Sequence, residues 1–326
     1  MFGAARLALF AANPVATGGV SGGISYFFGG FTGSASTTVR KYDLVSGAST
    51  AGTALPSSFF VGGAFGNGVE GWQVGGFSGS PGSDQTHVRY NTFSSDTWTT
   101  LTVLGAAQRN QSCASSSTKG YSWAGYRATV NLTTNNQWTY ATDAFSAGSA
   151  LPFTQPTSYC QTHNNSTIAL WIGSATDAAG GTPNKQYMIY TFSSDATTYS
   201  ASGAAYNNQL AGMTGPQDHG VIISGLRTAT SGDGSLTTGI TKYNLSDASL
   251  KSDSESVGTS NSHGDGAGSD EQGIFAGRTT AARSTTESVY TYATNTRNLL
   301  SAYLSNNQVF TVDTQSPAAC HNAQIS

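Results

Sequence analysis

The sequence predicts an all-β fold, a six-bladed β-propeller of four-stranded antiparallel blades closed by a C-terminal strand that pairs into the first blade. Three observations predict it. A strand-like run ending in a small residue and Gly recurs six times, no helical stripe of useful length interrupts the pattern, and the chain ends on a strand that has no repeat of its own to join.

The recurring run is clearest in Tyr26-Phe27-Phe28-Gly29-Gly30-Phe31, Trp72-Gln73-Val74-Gly75-Gly76-Phe77 and Tyr121-Ser122-Trp123-Ala124-Gly125-Tyr126. Shorter copies are Leu170-Trp171-Ile172-Gly173, Val221-Ile222-Ile223-Ser224-Gly225-Leu226 and Gly273-Ile274-Phe275-Ala276-Gly277. The anchor glycines are therefore Gly30, Gly76, Gly125, Gly173, Gly225 and Gly277, at a mean period of about 49 residues. That length suits four short strands and their turns, and six such units fill nearly the whole chain.

After each anchor the order repeats. A Gly/Ser/Thr loop leads to a strand with an aromatic residue: Val39–Leu44, Val88–Phe93, Met188–Phe192, Thr241–Leu245 and Val289–Tyr292, with Thr129–Leu132 as the third unit's version. A polar turn follows (Ser94–Asp96, Thr133–Asn136, Ser193–Asp195), then an outer strand carrying Trp98, Trp138 or Tyr199. Alternation of apolar and polar residues between Ser/Asp/Asn/Gly breaks is a hairpin signal. The innermost strand should precede each anchor, around Phe59–Val61, Gln111–Ala114, Ser158–Gln161 and Leu210–Met213. The first unit has no such strand, and Ala318–Asn322 at the C-terminus resembles one. Pairing them closes the ring and leaves no open innermost edge.

The order of small-Gly anchor, loop, Tyr-Asn or Tyr-Asp strand, turn and Trp strand resembles kelch repeats, best in Gly75-Gly76-Phe77, Arg89-Tyr90-Asn91 and Asp96-Thr97-Trp98. The resemblance covers residues 25–326 and implies four-stranded blades, but no particular activity. The Gly/Ser/Thr/Asn-rich, Lys-poor composition also resembles virion structural proteins of tailed bacteriophages, including tail and fibre components. Residues 1–24, outside the repeats, are then expected to be a retained arm that anchors the chain to other protein subunits of an assembly.

Composition narrows the partners. Only 14 Lys and Arg stand against 17 Asp and Glu, a net charge of −3, so no clustered basic surface for nucleic acid is expected. No apolar run reaches the ~20 residues a membrane-spanning helix needs. The three cysteines, Cys113, Cys160 and Cys320, form no CxxC pair. All three are expected at equivalent innermost-strand positions, as small half-buried residues. The five histidines (His87, His163, His219, His263, His321) are read as turn or channel-lining residues, with His163 and His321 at different offsets from their cysteines.

Asp233, Asp265 and Asp270 lie in Gly-rich stretches whose oxygens suit calcium, although their spacing matches no EF-hand and Gly/Asp turns account for them equally. No GxSxG, P-loop or HExxH motif is present. The expected function is a non-enzymatic structural or adhesive module without cofactor, on an extracellular virion. It would bind other subunits or a host-surface glycan through the loops Thr32–Thr38, Ser78–His87, Ser174–Lys185, Arg227–Gly239 and Arg278–Ser288. The alternatives are a secreted carbohydrate-binding, carbohydrate-active or oxidase propeller, and an intracellular kelch adaptor.

Overall fold

The computed structural model of the chain describes residues 23–30, 35–59, 62–79, 82–101, 107–109, 111–127, 130–152, 161–173, 185–204, 207–209, 213–223, 226–228, 235–236, 239–256, 261–279, 287–300 and 318–321. Every regular element among them is a β-strand. Six antiparallel sheets of four strands form the blades, and three smaller sheets accompany them.

From the axis outwards, blade 1 is Ala318–His321, Ile24–Phe28, Val39–Asp43 and Ser49–Ala51. Blade 2 is Gly63–Gly66, Glu70–Val74, Val88–Thr92 and Thr97–Leu101. Blade 3 is Ser112–Ser115, Lys119–Trp123, Asn135–Thr139 and Ala144–Ala147. Blade 4 is Gln161–Asn164, Ile168–Ile172, Tyr187–Thr191 and Ala196–Ser200. Blade 5 is Met213–Thr214, His219–Ile223, Gly239–Asn244 and Leu250–Ser256. Blade 6 is Asn261–Gly268, Gln272–Thr279, Glu287–Thr291 and Thr296–Leu300.

The ring closes as the sequence predicts. Ala318–His321 pairs antiparallel with Ile24–Phe28, setting Cys320 opposite Tyr26. Each innermost strand then touches the next, from blade 1 round to blade 6 and back. The propeller includes Ile24, and residues 1–22, which make up nearly all of the expected arm, lie outside the described residues.

Period-two alternation distributes the core. Along each second strand, alternate side chains point to the following and the preceding blade. Tyr26 and Phe28 pack towards blade 2, whereas Phe27 packs towards blade 6. The result is six apolar clusters among the described residues, one in each seam between blades. Trp72, Trp123, Trp138 and Trp171 are fully buried there.

One position governs how closely blades approach. The second-strand residue opposite the third strand's key side chain is small in all six blades: Ser25, Gly71, Gly120, Ala169, Gly220 and Gly273. At Gly120 an added Cβ would overlap the Phe65 ring of blade 2, so glycine there is a packing requirement. Opposite these small residues stand Tyr42, Asn91, Trp138, Tyr190, Tyr243 and Tyr290. Five residues further on, the outer turn carries a positive φ in every blade: Gly47, Asp96, Asp143, Asp195, Ala248 and Asn295. Gly, Asp and Asn tolerate that conformation best.

The outer turn also latches blades together. Asp195 of blade 4 accepts hydrogen bonds from Asn135, Gln137 and Ser149 of blade 3 and from Tyr190 of its own blade. Asp96 of blade 2 accepts from Lys41 and Thr53 of blade 1 and from Asn91. Asn295 of blade 6 accepts from Lys242 of blade 5 and from Tyr290. Partial burial opposes ionisation of Asp195, but the donors around it win and hold its carboxyl below the usual range. Asp195→Ala removes the acceptor shared by Asn135, Gln137, Ser149 and Tyr190, leaving Asn135 and Gln137 only the Tyr190 hydroxyl, and is expected to cost about 2–3 kcal/mol in urea unfolding. A loss below about 0.5 kcal/mol would show the latch to be ornamental.

Several strand assignments differ from expectation. In blade 3 the third strand is Asn135–Thr139, so Trp138 lies in it and not in the outer strand. Val130–Asn131 instead pairs with Tyr126–Arg127 in a separate hairpin. The polar run 133–136 read as a turn because Asn135 and Asn136 look like turn residues, yet both are buried and hydrogen-bonded. The innermost strand of blade 2 is Gly63–Gly66, and Phe59 sits in the crossover, bridged to Ser36 and buried between blades 1 and 2. In blade 4 the innermost strand begins at Gln161, at the end of the expected run.

The cysteines are not equivalent. Cys113 pairs with Ser122, while Cys320 pairs with Tyr26, whose counterpart Tyr121 faces Ala114. The two cysteines are therefore one register step apart on the innermost strands of their blades. The blade 4 counterpart of Cys113 is Thr162, opposite Trp171. Cys160 lies outside the described residues.

Candidate binding face

The anchors show why small residues recur where the second strand ends. Gly29, Gly75, Ala124 and Gly173 each donate their N–H back to the chain entering the third strand, at Thr38, His87, Thr134 and Gln186. Gly30, Gly76 and Gly125 follow them with φ of 106°, 107° and 97°. Gly30 N–H and Gly76 N–H donate to Phe59 O and Gln108 O, on the crossovers to the next blade. Crossover carbonyls pass so close that a Cβ on Gly125 would sit 2.6 Å from Arg109 O. The expected anchors therefore fall into two sets. Gly173 occupies the position of Gly29 and Gly75, and Gly277, four residues after Gly273, matches it, whereas Gly30, Gly76 and Gly125 lie one residue later. Gly225 is outside the described residues.

Anchors and crossovers build one end of the ring, and extra hairpins rise from it. After Gly76 comes Phe77–Gly79 paired with Gly82–Asp84. After Gly125 comes Tyr126–Arg127 paired with Val130–Asn131. Above blade 5, Asn207–Gln209, Leu226–Thr228 and Ser235–Leu236 form a three-stranded sheet. The crossover between blades 2 and 3 ties the first two hairpins together, because Gln108 bridges Gln85 and Arg109 bridges Tyr126. Of the expected recognition loops, 78–87 and 227–239 thus carry hairpin structure, while 174–184 and 280–286 lie outside the described residues.

Arg109 is the chemical centre of this face. Its guanidinium carbon lies 4.4 Å from the Phe77 ring centre and 5.1 Å from that of Tyr126. Its Nε is 3.4 Å from Asp84 Oδ1. Contact with both rings restricts the side chain, so a partner meets a charge that is already ordered. Arg109 lies outside every repeat motif of the sequence, and its only local signal is a cation in a chain with 14 Lys and Arg.

The opposite end carries the turns between innermost and second strands. Asn67, Ser116, Asn165 and Ser269 each use a side-chain oxygen to accept backbone N–H groups of their own turn. Bonds between blades run along this rim. Asn165 donates to Gln217 O at 2.9 Å, and Gln217 donates to Asp270 Oδ1 at 2.8 Å. Asp270 is thus engaged in the turn lattice. Asp265 pairs through its backbone with Ala276 in blade 6, and Asp233 is outside the described residues. Among the described residues no group of three or more His, Cys, Asp or Glu is placed to hold a metal.

His163 departs from the expected turn or channel role. It is 3% exposed, lies in the seam between blades 4 and 5, and its Nε2 is 2.9 Å from Pro216 O. Burial pushes its pKa down to about 4. Nearby, His219 Nδ1 is 2.6 Å from Asp218 Oδ1, and Lys251 also pairs with Asp218. His163 and His321 sit one register step apart, opposite Leu170 and Ser25 of their blades. Half-burial and the neighbouring Arg89 hold the pKa of His87 below its usual value.

No protein-family model and no curated protein sequence matches this chain. Its fold matches 741 solved chains, too many for the fold alone to select a function. One is the structure of YjhT, at a TM-score of 0.67 and 12% identity, covering 86% of this chain and 97% of that one. At that identity the likeness concerns the propeller alone. No helix among the described residues is long and apolar enough to cross a membrane.

Proposed function

We propose that the chain is a non-enzymatic binding module that docks other proteins through its anchor end, as a structural or adhesive component of a tailed-phage virion. The observation that carries the docking reading is the pair of hairpins over blades 2 and 3, tied by the crossover and centred on the stacked Arg109. Aromatic and arginine side chains fixed by a rigid scaffold are the groups that dominate protein interfaces. The virion placement rests on the Gly/Ser/Thr/Asn-rich composition, with residues 1–24 as the anchor. The recurrent turn pair, Asn91 with Asp96 and Tyr190 with Asp195, supports reading the blades as degenerate kelch repeats.

Charge-introducing variants test the face. Val130→Lys, at a residue 55% exposed on the anchor end, is expected to reduce incorporation into particles about tenfold, the effect of one lost contact of ~1.4 kcal/mol. Val45→Lys, on an outer turn and 64% exposed, leaves incorporation unchanged. Equal incorporation of both variants sinks the anchor-end reading. Gold-labelled antibody should decorate the particles, whereas protein found only free in the medium favours a secreted carbohydrate-binding propeller. That second reading draws on Phe77 and Tyr126, half-buried aromatic rings beside Asp84.

A further inference from the structure

We infer that the seam between blades 4 and 5 is a pH-sensitive joint, which opens in mild acid while the other seams stay closed.

The seam differs from its neighbours in what ties it. Outer turns latch blade 2 to blade 1 through Asp96, blade 4 to blade 3 through Asp195 and blade 6 to blade 5 through Asn295. The same position of blade 5 holds Ala248, whose methyl accepts no hydrogen bond and is buried in the apolar cluster with Leu170, Met213 and Ile222. Polar ties gather instead at the opposite rim, where two side chains of blade 4 reach the turn between the first two strands of blade 5. His163 Nε2 lies 2.9 Å from Pro216 O, and Asn165 donates to Gln217 O at 2.9 Å.

His163 is the sensitive member. A carbonyl only accepts, so Nε2 carries the hydrogen and Nδ1 is the bare nitrogen that a further proton must take. Nδ1 is buried without a partner, and the side chain packs against blade 5, where a Cβ added at Gly220 would lie 3.5 Å from His163 Cβ. A proton on Nδ1 therefore creates a buried cation with an unanswered N–H, and opening the seam to water relieves both.

The surroundings oppose that charge. Of the strands packed against Gln161–Asn164, namely Ser112–Ser115, Ile168–Ile172, Met213–Thr214 and His219–Ile223, two carry a titratable side chain, Cys113 and His219. Cys113 faces Gly63 of blade 2, on the far side of its own blade from His163. His219 shares Asp218 with Lys251, and Lys242 adds a positive charge beside it. Protonating both histidines thus sets His163, His219, Lys251 and Lys242 against the single carboxylate of Asp218.

Burial holds the pKa of His163 down to about 4 in the closed seam, against 6.5 where water reaches the ring. The open form therefore binds the proton first as the pH falls. The seam's stability is complete above about pH 6.5 and is lost progressively towards pH 4.

Hydrogen–deuterium exchange of the full chain, read by mass spectrometry and corrected for the intrinsic pH dependence of exchange, tests the joint. Between pH 7.5 and pH 5.0, peptides covering Gln161–Asn164 and His219–Ile223 should exchange about thirtyfold faster. Those covering Lys119–Trp123 and Asn135–Thr139 of blade 3 should gain less than about threefold. His163→Gln keeps a donor for Pro216 O but cannot ionise, and should cut the acceleration below about fivefold. Lys251→Gln, at a side chain 37% exposed, removes a cation that opposes protonation of the closed seam, and should roughly halve the acceleration. Equal acceleration in every blade, which is global unfolding, overturns the inference. So does acceleration that survives His163→Gln, or none in blades 4 and 5. Should His163→Gln fail to fold, the contrast between blades in the native chain and the response to Lys251→Gln decide, and a larger acceleration in Lys251→Gln counts against the joint.

Discussion

A chain ending at residue 317 is expected to lose its closed ring and with it the folded monomer. The strand removed, Ala318–His321, is the innermost strand of blade 1 and pairs with Ile24–Phe28 along Ser25, Tyr26, Phe27 and Phe28. Without it those N–H and C=O groups become an open edge beside some of the most deeply buried side chains in the protein, Tyr26, Phe27 and Phe28, each at most 2% exposed. The same strand also joins the innermost strands of blades 2 and 6. Unpaired buried backbone costs ~1–3 kcal/mol for each group, and domains hold only ~5–15 kcal/mol in reserve. Size-exclusion chromatography should show aggregates or an expanded species, and urea unfolding should lose its cooperative transition. A peptide of residues 313–326 added during refolding should restore part of the monomer. A truncated chain that elutes and melts like the full one would mean that closure contributes nothing to stability.

The second large effect is a loss of stability in mild acid, ahead of the carboxylates. His163 titrates near 6.5 when unfolded and near 4 in the folded seam, because burial penalises its cation more than Pro216 O favours it. Its Nδ1, the nitrogen that would take the proton, is buried without a partner. The unfolded chain therefore binds the proton first as the pH falls. The stability contributed by neutral His163 is complete above about pH 6.5 and lost progressively down to about pH 4, roughly 3 kcal/mol in all. The charged groups that act on it from blade 5 are His219 and Asp218. His219, whose pKa burial also lowers against the pull of Asp218, contributes in the same direction. Asp96 and Asp195, with lowered carboxyl pKa values, add their own losses only below about pH 4. Urea midpoints at pH 7.5, 5.5 and 4.5 should fall steadily for the native chain. His163→Gln keeps a donor for Pro216 O and cannot ionise, so its decline should be shallower by about 2.5 kcal/mol at pH 4.5. Identical slopes would remove His163 as the cause.

Both effects trace to features that differ in how far they can be read from a sequence. The number of blades was legible, because each second strand ends where a crossover carbonyl presses on the backbone and only small residues fit. Gly30, Gly76 and Gly125 record that requirement directly, and their spacing gives the period. Closure was legible too, since a terminal strand with no following anchor had one place left to pair. The candidate face was mostly illegible. Phe77 and Tyr126 read as the last residues of the anchors, and Arg109 stood alone in an irregular stretch.

What the sequence by itself determined, then, is the ring: an all-β chain, six units, and a C-terminal strand that completes the first. Local chemistry sufficed because Gly spacing and strand alternation are imposed residue by residue. Register was decided only in three dimensions. Asn91 stands where five other blades place an aromatic ring, and Cys320 sits one register step from the position of Cys113. A shift of one residue reverses every side chain on a strand without altering its composition, and only packing against the neighbouring blade selects between the two. The Arg109 clamp is of the same kind. Its rings, Phe77 and Tyr126, come from separate hairpins on adjacent blades, and the crossover between those blades is what brings them to one guanidinium.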